Sequence, residues 1–230
     1  APALTFHATA TPILSLDAVP VIADCEEDTG NIDPISIEKN ITKKTVGIVV
    51  THLCGHPCEM KKIMKIAKKY NLKLIEDCSH AHGSTYYGKK VGTFGDVGVF
   101  SLDNNKLLSA GEGGVLVTNK REYFERALIV SDFSSRIEFQ IKNKDLKKYV
   151  ETGLGFKHRI HPVSAAIALQ ELKKINFYIK KRNSVLNGIS REIKKIPGMR
   201  PPVTRKNCSR GAFFGYRPFV YTKKLAGVKI

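Results

Sequence analysis

Four side chains in the stretch 77–106 have types and spacing that could do chemistry together. Asp77 and His80 follow the apolar run "LKLIEDC" (72–78), and Ser101 ends a second run, "VGVFS". Lys106 stands alone in the polar turn beyond it, ahead of "GEGG" and a further apolar run, "VLVTN". If the runs are neighbouring parallel strands, these groups gather at the carboxyl ends, where open α/β sheets place their functional loops. Pyridoxal phosphate (PLP) asks for such a set. It needs a lysine for its Schiff base and an acid for its pyridine nitrogen. Hydroxyls, backbone N–H groups and helix N-termini can hold its phosphate.

Taken singly, each residue has a plainer role. A lone loop lysine is usually solvated, and an aspartate at a strand end is often a helix cap. His82 and Gly83 read as turn residues, and the glycines of "GEGG" as a tight turn. Glu112 is assigned no chemistry, and Arg159 is left between substrate binding and pairing within an interface. The chemical assignment rests on Asp77, His80, Ser101 and Lys106 occurring together and in this order.

The elements that must position them follow from pattern. "TVGIVVT" (45–51), 72–78, 97–101 and 115–119 read as strands, and "PVIADC" (20–25) as a short buried one. Asp33 and Pro34 open a short helix as N-cap and first helical residue. Residues 58–70 and "KREYFERALIV" have helical spacing. Strands alternating with helices predict an α/β layer with a mainly parallel sheet. The stretch 132–150 is expected as an irregular surface excursion. From about residue 164 a long helical region runs to about Ile196, with a break expected near Asn183 or Gly188. "PGMRPP" marks a boundary, and "FFGYRPFVY" is expected as a strand beyond it.

Composition bounds the rest. The 230 residues carry 38 Lys+Arg against 21 Asp+Glu, a net charge of +17. The lysines line the outer faces of helical stretches such as "EMKKIMKIAKKYNLK", the pattern of a solvated face, so no specific nucleic-acid partner is expected. The bias favours anionic small molecules. No apolar run is long enough to cross a bilayer, so no membrane partner is expected. Cys25, Cys54, Cys58, Cys78 and Cys208 do not form a secreted disulfide framework, which points to a reducing, cytoplasmic setting. His52, Cys54, His56 and Cys58 crowd into "THLCGHPCEM". Gly55 and Pro57 break the strand that alternate ligands would need, and the usual zinc motifs draw on two separated elements. No metal is expected there; a strand end, a Gly-x-Pro turn and a helix starting near Cys58 are.

"PVIADCEEDTGNIDPISIEKNITKKT", "IEDCSHAHGSTYYGKKVGTFGDVGVFSL", "KLLSAGEGGVLVTN" and "GLGFKHRIHPVSAAIALQEL", in that order, resemble the DegT/DnrJ/StrS family of PLP-dependent aminotransferases acting on keto sugars and keto cyclitols. The resemblance implies the fold-type-I aminotransferase architecture, with Lys106 as the Schiff-base lysine, Asp77 on the pyridine nitrogen and Ser101 on the phosphate. His80 stands where many members carry a glutamine beside the ring. Lys157, in "GFKHR", stands where members often carry an asparagine that reaches the cofactor phosphate of the partner subunit.

The same resemblance implies a homodimer, an amino-acid donor such as glutamate or glutamine, and a keto-sugar (nucleotide-linked) or keto-cyclitol acceptor. It divides the chain into a PLP-binding large domain (1–163), a helical connection (164–198) and the start of a small C-terminal domain (199–230). The phosphate-binding turn that opens family members is not seen, and the sequence is expected to be an internal piece of an aminotransferase. Two other functions stand beside transamination. The family's dehydratases replace the Schiff-base lysine with histidine, which Lys106 disfavours. A catalytically inactive regulator or binding protein is disfavoured by the presence of Lys106, Asp77 and Ser101 together.

Overall fold

The structure is a computed structural model, describing residues 1–132, 135–151, 155–211 and 213–221. Short helices α1 (Thr11–Leu14) and α2 (Pro34–Lys39) precede the sheet. Asp33 caps α2 as its sequence predicts: its Oδ1 accepts from Ile35 N–H at 2.9 Å, and Pro34 holds the first turn.

The central sheet has the order β1 (Gly47–Thr51), β2 (Lys73–Asp77), β5 (Val97–Ser101), β6 (Gly114–Val117). The first three strands are parallel, and β6 turns back antiparallel to β5. α3 (Met60–Lys69) supplies the crossover between β1 and β2. It buries Ile63, Ile66 and Ala67 against Ile48, Val50 and Leu74 of the sheet, while its lysines face outward. The open, mainly parallel α/β sheet is the fold class its sequence pattern predicts.

A hairpin of β3 (Thr85–Tyr86) and β4 (Lys89–Lys90) follows β2, and α4 (Arg121–Ser131) follows β6. The expected excursion at 132–150 is instead a packed annex wherever it is described. It contains a 3-10 turn at Ser135–Gln140 and the short α5 (Lys144–Lys147), and it buries Ile137, Ile141 and Val150 against Leu128 and Ile129. The Glu125 carboxylate caps it, accepting from Lys142 N–H and Asn143 N–H at 3.0 Å.

Three further expectations are corrected. Residues 20–25 make only isolated bridges, Pro2 with Ala23 and Cys25 with Ile32, and Val21 and Ile22 lie exposed. β-branched content alone does not supply a ladder partner. The long helix, α6 (Pro162–Ile193), runs unbroken through Asn183 and Gly188. His161 caps it by accepting from Val163 N–H, and Asn183 Nδ2 donates to the Arg210 carbonyl, a tertiary bond that no local propensity reports. "FFGYRPFVY" is not one strand. Only Phe219–Val220 (β9) is extended, pairing with β7 (Met199–Arg200), and 213–218 turns.

The segment after α6 returns to the first half of the chain. β8 (Cys208–Ser209) pairs antiparallel with β3. Arg205 donates to Asp28, Glu26 and Glu59, with contacts of 2.5–3.0 Å.

Candidate functional site

The parallel register sets Thr51 beside Asp77 and Asp77 beside Val99, so Asp77 and Ser101 leave adjacent strand ends on one edge of the sheet. Asp77 is half-buried and fixed at both oxygens. Oδ2 accepts from the Thr9 hydroxyl at 2.8 Å, and Oδ1 accepts from Ser79 N–H at 3.0 Å. Thr9 in turn lies 2.7 Å from the Thr5 hydroxyl and 3.3 Å from that of Thr51. Thr9 was not singled out in the sequence. "HATATP" carries no local signal of a contact to a residue 68 positions away.

His80 sits in the turn after β2, and its Nδ1 is buried with no hydrogen-bond partner among the described residues. Burial, with the nearby positive charge of Lys106, lowers its pKa from 6.5 to about 4, against the opposing pull of Asp77. His82, also lowered to about 4 by burial, hydrogen-bonds the Ser101 carbonyl and packs against Phe100, ring centroids 5.5 Å apart. It behaves as the structural turn residue that its sequence context implies.

The Ser101 hydroxyl accepts from Asp103 N–H at 3.2 Å, and Lys106 N–H donates to the Asp103 carbonyl at 2.9 Å. The turn 103–106 thus presents Lys106 from the end of β5. Its Nζ lies 4.5 Å from the centroid of the Phe214 ring, and that ring stacks on His80 at 4.1 Å. The sequence context of Phe214 predicts a strand; in the structure it lies in the turn before β9. A cleft of about 520 Å³ opens beside Lys106, lined by Ser109 and, on α6, by Glu171, Tyr178, Lys181 and Arg182.

The structure therefore brings together Asp77, His80 and Lys106, with Ser101 at the root of the same turn. Lys157 stands apart from them. It is exposed, with a left-handed backbone (φ 56°), and no described hydrogen bond or ion pair links it to the cluster. Arg159 forms an ion pair with Asp132 at 3.7 Å within the chain.

The acid beside Asp77 has a different task. Glu76 is fully buried and accepts from His52 Nε2 (3.0 Å) and from the N–H groups of Gly92 (2.8 Å), Phe94 and Gly95 (both 2.6 Å). Burial raises its pKa, but the His52 and backbone hydrogen bonds outweigh that and leave it lowered. His52, Glu76 and Cys78 lie close enough to hold a metal ion, yet both ring nitrogens of His52 and both oxygens of Glu76 already have hydrogen-bond partners. His52 Nδ1 accepts from Cys58 N–H at 3.0 Å, which makes Nε2 the protonated nitrogen that donates to Glu76. At His56, Nε2 accepts from Arg205 N–H, and Nδ1 meets the Pro57 carbonyl at 2.7 Å. The Cys58 thiol donates to the Thr51 carbonyl. The histidines of "THLCGHPCEM" fasten a turn.

A family model described as the DegT/DnrJ/EryC1/StrS aminotransferase family matches residues 1–227. The chain belongs to this family. Among curated relatives, a GDP-perosamine synthase of Escherichia coli O157:H7 is 34% identical over 195 residues, 85% of this chain and 51% of its own length. An L-glutamine:2-deoxy-scyllo-inosose aminotransferase of Streptoalloteichus tenebrarius is 32% identical over 221 residues, 94% of this chain and 51% of its own length. The chain thus spans about half the length of these curated relatives. Among solved structures, the aminotransferase from Psychrobacter cryohalolentis superposes with a TM-score of 0.85 at 29% identity, covering 96% of this chain and 59% of that one. Within the DegT/DnrJ/EryC1/StrS fold, the parallel strand ends carry Asp77 and Ser101 on one edge, and the turn that follows β5 carries Lys106. None of the described helices is long and apolar enough to cross a membrane.

Proposed function

We propose that this protein is a PLP-dependent aminotransferase that moves an amino group from an amino acid, glutamate or glutamine, to a keto sugar or keto cyclitol. The observation that carries the assignment is the convergence of Lys106, Asp77 and His80 at the carboxyl edge of the sheet, in a chain of this family. The donor set fits the cofactor. Asp77 is a carboxylate held by two donors, His80 offers a buried, unpartnered ring nitrogen, and Ser101 offers a hydroxyl. PLP, when bound, supplies an electron sink for the carbanion left when an amino acid loses its Cα proton.

The chain's own residues do the remainder. Asp77, its orientation set by Thr9 and Ser79, would favour protonation of a ring nitrogen by placing an opposite charge beside it. Lys106 would hold the cofactor through its side-chain amine, and as a free amine it would move a proton from and to Cα as general base and acid. His80 would pack on the cofactor ring. Ser101 and the partner subunit, through its copy of Lys157, would bind the phosphate, Lys157 acting as a point charge. The cleft lined by Lys181 and Arg182 suits an anionic acceptor. A nucleotide-linked keto sugar and a keto cyclitol are both supported as acceptors by the names of relatives.

The same assignment includes a cytoplasmic homodimer, and a division into a large domain (1–163), a helical connection (164–198) and a small domain from residue 199. Adding PLP to the full-length protein tests it. A visible absorption band, followed by conversion of keto-sugar or keto-cyclitol acceptors with glutamate or glutamine, is expected. A protein that takes up no PLP is not this enzyme.

A further inference from the structure

The ring of Phe214 lies between two of the groups assigned to the cofactor. It stacks on the His80 imidazole, with centroids 4.1 Å apart and planes at 19°, and Lys106 Nζ lies 4.5 Å from its centroid. An offset aromatic pair and a cation over a ring face are both attractive arrangements, strongest where water is excluded. Neither is local in sequence: Phe214 arrives from the segment after α6.

The root of that segment is fixed. β8 pairs with β3, and Gly211 N–H donates to Ser84 Oγ at 2.9 Å. A Cβ on Gly211 would stand 1.8 Å from the His82 carbonyl oxygen, so only glycine permits this approach. Arg210, 5% exposed, donates to the carbonyls of Cys54 and Val203 at 2.7 Å and to the Thr204 hydroxyl at 3.0 Å. Phe213 is buried. Beyond Phe214 the chain is held again, by Tyr216 Oη at 2.8 Å from Ser190 Oγ on α6 and by the pairing of β9 with β7. Gly215 takes a left-handed backbone (φ +61°), and a Cβ there would meet nothing nearer than Arg217 at 3.9 Å. Phe214 therefore stands on a fixed stem, next to a glycine that crowds nothing, with its ring half-buried.

We propose that Phe214 is an aromatic gate on the PLP site: its ring covers the face of His80 and contacts Lys106, and the cofactor ring must displace it to stack on His80. The proposal rests on the PLP assignment above. A planar ring replaces a planar ring, so the stacking lost from Phe214 is regained by the cofactor. The attraction between the Lys106 ammonium and the phenyl face is the part given up, because a nitrogen bonded to the cofactor no longer presents that ammonium. Removing the gate speeds uptake and exposes His80 to water.

The test uses the full-length protein stripped of PLP, with Phe214→Ala and Phe214→Leu; the leucine variant keeps apolar bulk without a π face. PLP uptake is followed by stopped-flow absorbance, and His80 is titrated by NMR in the absence of PLP. Uptake is expected to rise about tenfold in Phe214→Ala and less in Phe214→Leu, the scale of one aromatic and one cation–π contact. The His80 pKa, lowered to about 4 with Phe214 in place, is expected to move toward 6.5 in the alanine variant. Uptake at the wild-type rate or slower in both variants overturns the gate, whatever His80 does. A His80 titration unchanged in Phe214→Ala overturns the stacking on which it stands. If none of the three proteins takes up PLP, the aminotransferase assignment falls and the gate falls with it.

Discussion

Thr9 donates its hydroxyl proton to Oδ2 of Asp77 at 2.8 Å, joining the N-terminal segment to the end of β2. With Ser79 N–H on Oδ1, the carboxylate is held in one orientation before any ligand arrives. Asp77→Asn keeps a planar side chain, and the Thr9 hydroxyl can reverse its role from donor to acceptor. The fold is therefore expected to survive with a thermal midpoint close to wild type. The charge is lost, so turnover is expected to fall on the order of 10²-fold in proton transfer. Wild-type turnover in Asp77→Asn would remove Asp77 from the ring nitrogen.

Lys106 is expected to be the covalent attachment point. Borohydride reduction of the PLP-loaded protein, followed by peptide mapping, should place the pyridoxyl group on Lys106, and Lys106→Ala should abolish the label. A label on another lysine rejects the assignment.

Glu76 makes a contrasting prediction beside Asp77. It is fully buried and accepts four hydrogen bonds. Glu76→Gln replaces one acceptor oxygen with a donor facing N–H groups. Leaving such buried donors unpaired is expected to cost about 2–4 kcal/mol, with the midpoint of urea unfolding reporting the loss. If Glu76→Gln unfolds like wild type, the loop 92–95 does not depend on it. Because the folded pKa of Glu76 is lowered, its contribution is present above the unfolded carboxylate pKa and fades as pH falls below it.

The buried histidines act on stability at milder pH. His56, His80 and His82 are each lowered from 6.5 to about 4, chiefly by burial. The unfolded chain takes up protons near pH 6.5 while the folded chain does not until about pH 4. Stability is therefore full above pH 6.5 and falls on acidification between those values. Each histidine adds a slope of up to about 1.4 kcal/mol per pH unit, less for the more accessible His80. Urea midpoints at pH 7, 6 and 5 should drop progressively, and His82→Gln should flatten the trend. A pH-independent midpoint over this range would contradict the burial of these rings.

Lys157 adopts φ 56°, a region that costs a lysine about 1 kcal/mol and that asparagine tolerates better. Lys157→Asn is expected to leave stability equal or raise it by up to that amount. PLP affinity of the full-length protein should fall if the lysine's charge serves a partner subunit's phosphate. Sedimentation with PLP titration separates the effects: unchanged affinity removes Lys157 from the shared site, and a fully active monomer removes the sharing.

Much of the frame was legible because it is written in local periodicity. β-branched runs marked β1, β2 and β5, amphipathic spacing marked α3, and Asp33-Pro34 marked the start of α2. Local pattern failed where the deciding partner is remote. Residues 20–25 have strand composition but no continuous ladder. The polar 132–150 stretch is packed because Glu125 caps it and three scattered apolar residues share one core. α6 passes Gly188 unbroken because a single helical glycine costs only about 1 kcal/mol, and its Asn183 and Ser190 bond to the segment that follows.

The sequence by itself determined which strand ends gather the candidate site residues. In a parallel sheet, chain direction alone assigns Asp77 and Ser101 to one edge, and the polar turn after β5 has to deliver Lys106 there. Only the tertiary structure decided what surrounds them: Thr9 on Asp77, Phe214 between His80 and Lys106, Glu76 turned inward to a backbone loop. Each of these contacts joins segments distant in the chain. Their geometry comes from how loops close and layers pack, and neither process leaves a periodic trace in the residues it brings together.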